Sequence, residues 1–132
     1  MSDNTSAKQI IPLTPEEGVR MSRDRLSHLY GQFGDTSAED IISRAVEALA
    51  LRMSACQRLY QVGQRREMRR NLRSQIVISE QIGMMSLADA ARNVVDCLDR
   101  DDTVALAATL ARLLRIGEQS MSALWDLQDL SV

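Results

Sequence analysis

Arginines at helical spacing are the residues of this chain whose type and pattern suggest a chemical role. At about 100° per residue, five arginines of the stretch 64–87 share one arc of a helix, and Val77 lies one turn further along. The arginines are Arg65, Arg66, Arg69, Arg70 and Arg73, and we call this surface, Val77 included, the Arg strip. Guanidinium groups bind carboxylates and phosphates through paired hydrogen bonds. The strip therefore predicts a docking surface for an acidic partner.

A second interpretation of the Arg strip is a solvated helix face that contributes little to binding. In that case its arginines pair in part with Glu67 or Glu80. The local charge is patterned, since residues 58–73 carry six Arg and one Glu while residues 89–102 carry five Asp and two Arg. The whole chain nevertheless has a formal net charge of −2 and only 3% aromatic residues, so neither a nucleic acid nor a membrane is expected as a partner.

Catalytic groups are sparse. His28 is the single histidine, and its context in a short helix favours a structural role over phosphate acceptance. Cys56 and Cys97 are far apart in apolar helical segments, which predicts two buried free thiols. We therefore expect no metal site, no cofactor and no enzymatic activity. A polar N-terminus without a hydrophobic signal core, together with thiols left reduced, predicts a cytoplasmic protein.

The elements that position these residues are predicted to be helices throughout. Proline occurs only at Pro12 and Pro15, and no segment alternates with the period of a strand. We expect an all-α fold, an antiparallel four-helix bundle with an additional N-terminal helix, because the connections are short. Residues 1–13 are expected to form a disordered tail and residues 14–132 a single helical domain.

Helix boundaries follow from caps and glycines. The first helix is predicted to run from the capping box Thr14–Glu17 to about Tyr30 and to be broken by Gly31 and Gly34. Val19, Leu26, Leu29 and Phe33 are spaced near helical periodicity. Ser37 then caps a second helix over about 38–61. Gly63 and Gly83 bound the helix of the Arg strip, whose opposite face is expected to be buried. That face consists of Met68, Leu72, Gln75, Ile76, Ser79 and Ile82.

Two further caps complete the prediction. Ser86 is expected to cap a fourth helix, and Asp101 or Asp102 the last one. Trp125 is expected to pack near the end of the bundle and to anchor the last helix.

The layout over roughly residues 24–128 resembles a histidine phosphotransfer (HPt) domain, a carrier in bacterial phosphorelays. The motifs that carry the resemblance are LYGQFGD from Leu29, the segment RLYQVGQRREMRRNLRS, and IGMMSLADAARNVVDCLD from Ile82. In the family, a motif of the type A-H-x-L-K-G-S precedes an L-G pair. Ile82-Gly83 matches that pair, and Leu87, Val94 and Leu98 match the apolar spacing that follows.

The resemblance departs from the family at the phosphate-accepting position. Anchoring on Gly83 places that position at Arg73, with the family's Lys at Ile76 and its Gly at Val77. A slip of one residue places it at Ser74, and neither register supplies a histidine. Arg has no free lone pair with which to accept a phosphoryl group.

The resemblance therefore implies a non-catalytic signalling module. It would bind a receiver domain or a sensor histidine kinase of a two-component system without carrying phosphate. The alternative is a structural or oligomerising helical bundle unrelated to phosphorelays. A homodimer is compatible with both hypotheses.

Overall fold

The computed structural model describes residues 19–131, and the side chains of residues 19–126. Within this range the chain is all-α, as predicted, and its helices pack against one another. They are α1 (Arg23–Phe33), α2 (Asp35–Val62), α3 (Arg65–Gln81), α4 (Met85–Arg100) and α5 (Thr103–Ser131). The predicted tail and the capping box at 14–17 lie outside the described residues.

The core is aliphatic and runs between α2, α3, α4 and α5. Each of these four helices presents a buried face at helical spacing, and that of α4 combines alanines with larger apolar residues. The largest fully buried apolar side chains are Ile42, Leu49, Met68, Leu72, Ile82, Met84, Leu87, Val94, Leu113, Ile116 and Leu124. Methionine side chains are flexible, so they fill irregular gaps in this core.

Short connections make sequence neighbours pack against each other: α1 on α2, α2 on α3, α3 on α4 and α4 on α5. α2 also contacts α5. Gly117 of α5 lies at this contact, where a Cβ in its place would lie 3.0 Å from Cε of Met53. The small residue lets these two helices approach closely.

The start of the first helix differs from the prediction. Residues 19–22 are not helical: Met21 forms an isolated antiparallel bridge with Met84, and Ser22 caps α1 by accepting from the amide of Arg25. Gly31 lies inside α1 because one glycine costs a helix only about 1 kcal/mol relative to alanine. Phe33, the last residue of α1, is 46% exposed.

Two predicted caps are also wrong. α2 begins at Asp35, directly after Gly34, so Ser37 lies within the helix. α4 begins at Met85, and the hydroxyl of Ser86 accepts a 2.6 Å hydrogen bond from the amide of Arg20 instead of capping the helix. Asp102 caps α5 as predicted, since its Oδ1 accepts from the amide of Ala105 at 3.0 Å.

Residues 19–22 cap α4 from a distant part of the sequence, and we call them the N-terminal bridge. The first amides of a helix have no partner within the helix, and Met84, at the N-cap position of α4, offers no side-chain acceptor. The carbonyl of Arg20 accepts from the amides of Met85 at 3.1 Å and Ser86 at 3.4 Å. The guanidinium group of Arg20 also pairs with Asp89. The N-terminal bridge thereby fixes the α3–α4 turn.

Candidate functional site: the Arg strip on α3

α3 has two faces of opposite character, as the sequence predicts. Met68, Leu72, Gln75 and Ser79 are buried, and Ile82, just past the end of the helix, is buried with them. Ile76 is half-buried. The five arginines of the strip are all exposed, and Val77 is 53% exposed among them. Because the opposite face is packed into the core, the helix cannot rotate, and the strip is held facing outward.

Two of the five arginines are engaged by the end of α4. Arg65 pairs with Asp101 at 3.0 Å and donates a 3.2 Å hydrogen bond to the carbonyl of Leu98. Arg69 pairs with Asp99. The acidic segment that follows in the sequence therefore neutralises one edge of the Arg strip. Glu80 was considered as a partner for the arginines of its own helix. It pairs instead with Arg92 of α4.

The other three arginines form an open line along α3. Arg66, Arg70 and Arg73 make no ion pair with any residue of the described range, and each is exposed. They follow one another at spacings of four and three residues, and Val77 follows Arg73 by four, so all four residues share one stripe of the helix. We call Arg66, Arg70, Arg73 and Val77 the open line. Its like charges lie one turn apart and repel one another.

The two candidate phosphate-accepting positions are oriented differently. Arg73 is exposed on the open line, whereas Ser74 is half-buried towards α2. The hydroxyl of Ser74 accepts a 2.7 Å hydrogen bond from Nε of Arg52. Arg73 is therefore available to a partner, while Ser74 takes part in the contact between α2 and α3.

Sequence reasoning missed Arg52 as a neighbour of the site and Asp99 as an ion-pair partner. Both contacts join different helices, and only the packing register shows them. A shallow cavity of about 300 Å³ lies at the edge of the strip between α3 and α4, lined by Arg65, Arg66, Arg69, Leu98 and Asp99. Arg65 and Arg69 are paired with Asp101 and Asp99, so Arg66 supplies the unpaired positive charge at this cavity, which favours an anionic group near it.

The remaining reactive side chains stand apart from the Arg strip. Cys56 and Cys97 are buried free thiols, as predicted. Burial raises the pKa of the Cys56 thiol from 9.0 to about 11, although a hydrogen bond from the Gln75 side chain acts in the opposite direction. A thiol with so high a pKa is a poor nucleophile near neutral pH. His28 is exposed on α1.

The described part of the chain offers neither a metal site nor a membrane-spanning helix. No group of three or more His, Cys, Asp or Glu side chains is placed to hold a metal ion among residues 19–126. None of the described helices combines the length and apolar character needed to cross a membrane.

Comparison with known proteins identifies no relative of this chain. No protein-family model matches the chain, and no curated protein or solved structure does either. Function must therefore be argued from the site itself.

Proposed function

We propose that the protein is a non-catalytic HPt-like signalling module that binds a receiver domain or a sensor histidine kinase through the Arg strip. The observation that carries this proposal is the open line: three arginines without an ion-pair partner in the described range, next to an exposed valine on a helix whose other face is buried. Arginines at such a surface can each form two hydrogen bonds to a carboxylate of a partner.

The proposed architecture is the HPt-like one, in which α2, α3, α4 and α5 form an antiparallel four-helix bundle and α1 is the additional N-terminal helix. The short connections and the packing of each helix on the next support this arrangement. In this architecture α3 corresponds to the helix that carries the phosphate acceptor in the family, and Arg73 occupies its position.

Binding is proposed to rest on charge complementarity and not on phosphate transfer. The acceptor pocket of a receiver domain is acidic, so Arg73 would place a permanent cation where a carrier places its histidine. Arg66 and Arg70 extend the same charge along the helix, which raises the association rate and fixes the orientation of the complex. Val77 contributes an apolar contact at the end of the line.

The consequences for the cell follow from this mode of action. Such a module would sequester, scaffold or compete for its partner in the cytoplasm, with no enzymatic step of its own. It would compete with true carriers for the same acidic pocket, since both present the same helix.

The test is a pull-down from the lysate of the source cell with three baits, read by mass spectrometry. The baits are wild type, Arg73→Glu, and Arg44→Glu as the matched control. Arg44 is also exposed, but it lies on α2 and pairs with Asp40 of its own helix at 3.2 Å. Receiver domains or histidine kinases are expected with wild type and the control but not with Arg73→Glu.

Each recovered partner is then purified and tested directly. Binding to the purified receiver should weaken at least about tenfold with Arg73→Glu and should weaken with rising salt. Equal recovery of receivers by all three baits, or recovery of none by wild type, would contradict the proposal. Transfer of phosphate from a phosphorylated receiver to the protein would show that it is a carrier after all.

A further inference from the structure

The outward face of α5 is unusually poor in charge for an exposed helix. Seven residues from Val104 to Trp125 follow one another at alternating spacings of four and three, and every one of them is exposed. At about 100° per residue they lie within an arc of about 100°. Arg115 and Glu118 are the charged residues among them; the others include Val104, Ala108 and Ala111.

Two large apolar side chains mark the ends of this face. Val104 is 81% exposed, and Trp125, which was expected to pack near the end of the bundle, is 48% exposed. Four of the seven residues of this stripe are apolar, and Arg115, Glu118 and Ser122 are polar. A stripe with a 4-3 spacing is the pattern by which two helices pair side by side. The stripe faces away from the core, and it is not covered by any of the other described helices.

We infer that α5 pairs with α5 of a second copy of this chain, antiparallel and about a two-fold axis. The charges on the stripe favour a second copy of the chain as the partner. When two such helices run in opposite directions with the axis midway between Arg115 and Glu118, each Arg115 faces Glu118 of the other copy. Two symmetric ion pairs form, and the same register sets Trp125 opposite Ala108 of the other copy, where a small side chain leaves room for the indole ring.

A groove beside the stripe enlarges the contact. A cavity of about 470 Å³ lies between α2 and α5, with Met53 and Met121 among its lining residues and with Arg115 and Glu118 at its α5 edge. Trp125 follows Met121 by one helical turn and therefore stands at the end of this groove. Methionine side chains adapt to the surface that they contact, so the groove adds an apolar surface to the helix pair.

The paired surface is separate from the Arg strip. α3 and α5 each pack against α2 and α4, so they lie on opposite sides of those helices. A dimer through α5 leaves the open line, which lies on α3, outside the contact. The inference thus goes beyond the proposed function and does not depend on it.

The experiment is sedimentation velocity over a concentration series, with variants that reverse the two charges. Wild type is expected to sediment at twice the 14.8 kDa mass of the chain at high concentration. Arg115→Glu and Glu118→Arg each place like charges across the axis twice, so each should weaken dimerisation at least about tenfold. The double variant, Arg115→Glu with Glu118→Arg, restores both pairs and should dimerise within about threefold of wild type.

Two further variants test the aromatic contact and the location of the interface. Trp125→Ala should weaken the dimer by about tenfold or more, because aromatic anchors dominate interfaces. Arg66→Glu, an exposed arginine of the open line, should leave it unchanged. All of these residues are exposed, and helical circular dichroism identical to that of wild type shows that the fold is intact.

The inference is overturned by any of three results. Wild type could remain a monomer up to about 1 mM, which would leave the α5 face to a different protein. The dimer could persist in the α5 variants and dissociate with Arg66→Glu, which would place the interface on the Arg strip. Both single reversals could dissociate the dimer without rescue by the double variant, which would exclude the antiparallel register.

Discussion

The amide of Ser22 donates a 2.7 Å hydrogen bond to the carbonyl of Gly83, and this contact joins the N-terminal bridge to the α3–α4 turn. Gly83 has φ +80°, a conformation that side chains with a Cβ rarely adopt. A Cβ at this position would also lie 2.8 Å from the carbonyl oxygen of Ser22 and 3.2 Å from Cβ of Arg25. Glycine is therefore required here both by the backbone angle and by the close approach of a second segment.

Replacing Gly83 with alanine should cost more than the backbone angle alone. Gly63 provides the matched control, because it has φ +77° but no atom within 4 Å of a Cβ. We expect Gly63→Ala to lower the free energy of unfolding by about 1 kcal/mol and Gly83→Ala to lower it by at least about 1 kcal/mol more. Urea unfolding of both variants measures the difference. Equal losses would mean that the N-terminal bridge contributes nothing at this turn.

Removing one charge from the open line should stabilise the protein. Arg70 has Arg66 four residues before it and Arg73 three residues after it, and like charges at these spacings cost about 0.2–0.5 kcal/mol each. Arg70→Gln should therefore raise the melting temperature slightly. Arg44→Gln, which loses its ion pair with Asp40, should not raise it. The gain should vanish at about 1 M salt, where these charges are screened. A melting temperature that falls at low salt would contradict this account of the open line.

The buried thiol of Cys56 should make stability depend on pH in the alkaline range. Its pKa is about 11 in the folded protein against 9.0 for an ordinary thiol, because burial disfavours the thiolate. As pH rises above 9, the unfolded chain releases this proton first, so the free energy of unfolding falls until pH approaches 11. The loss should amount to roughly 2 kcal/mol.

Cys56→Ala removes this contribution and Cys97→Ala provides the control. The alanine at position 56 lowers stability at neutral pH, but its unfolding free energy should decline less steeply than that of wild type between pH 9 and pH 11. Cys97→Ala should keep the steeper decline. Denaturant titrations at four or five pH values test this, and parallel curves for all three proteins would refute it.

Replacing Ser79 with alanine should stabilise the protein. Its hydroxyl is fully buried in α3 and has no hydrogen-bond partner in the described residues. A buried polar group without a partner costs about 1–3 kcal/mol, so Ser79→Ala should raise the free energy of unfolding by up to about 1 kcal/mol after the loss of packing is included. Ser74→Ala should instead lower it, because that hydroxyl accepts from Arg52. Chemical unfolding of the pair decides, and a loss of stability with Ser79→Ala would contradict the prediction.

Helical periodicity was sufficient to predict both faces of α3. The buried positions Met68, Leu72 and Ser79 and the exposed arginines follow from one repeat of 3.6 residues, and all of them are found where the sequence places them. The turn at Gly83 and the cap at Asp102 were also predictable, since a glycine outside a helix and an aspartate before one act locally.

Contacts between distant segments were not predictable from local patterns. Ser86 has the sequence context of a helix cap, but its hydroxyl accepts a hydrogen bond from the amide of Arg20, 66 residues away. Asp99 was expected only as part of a polar turn, and its pairing with Arg69 depends on how α3 and α4 are aligned. The sequence thus predicted the Arg strip as a whole, whereas its division into paired arginines and an open line required the structure.

The N-terminal bridge also bears on the order in which the protein folds. Most helices here pack on their neighbours in sequence, and contacts of short sequence separation form quickly. The bonds from Arg20 to Met85, Ser86 and Asp89 instead close a loop of more than sixty residues, which is entropically costly until α3 and α4 are already paired. The N-terminal bridge is synthesised before both of those helices and is expected to dock after them. A newly made chain would therefore hold the N-terminal bridge free until α3 and α4 are complete.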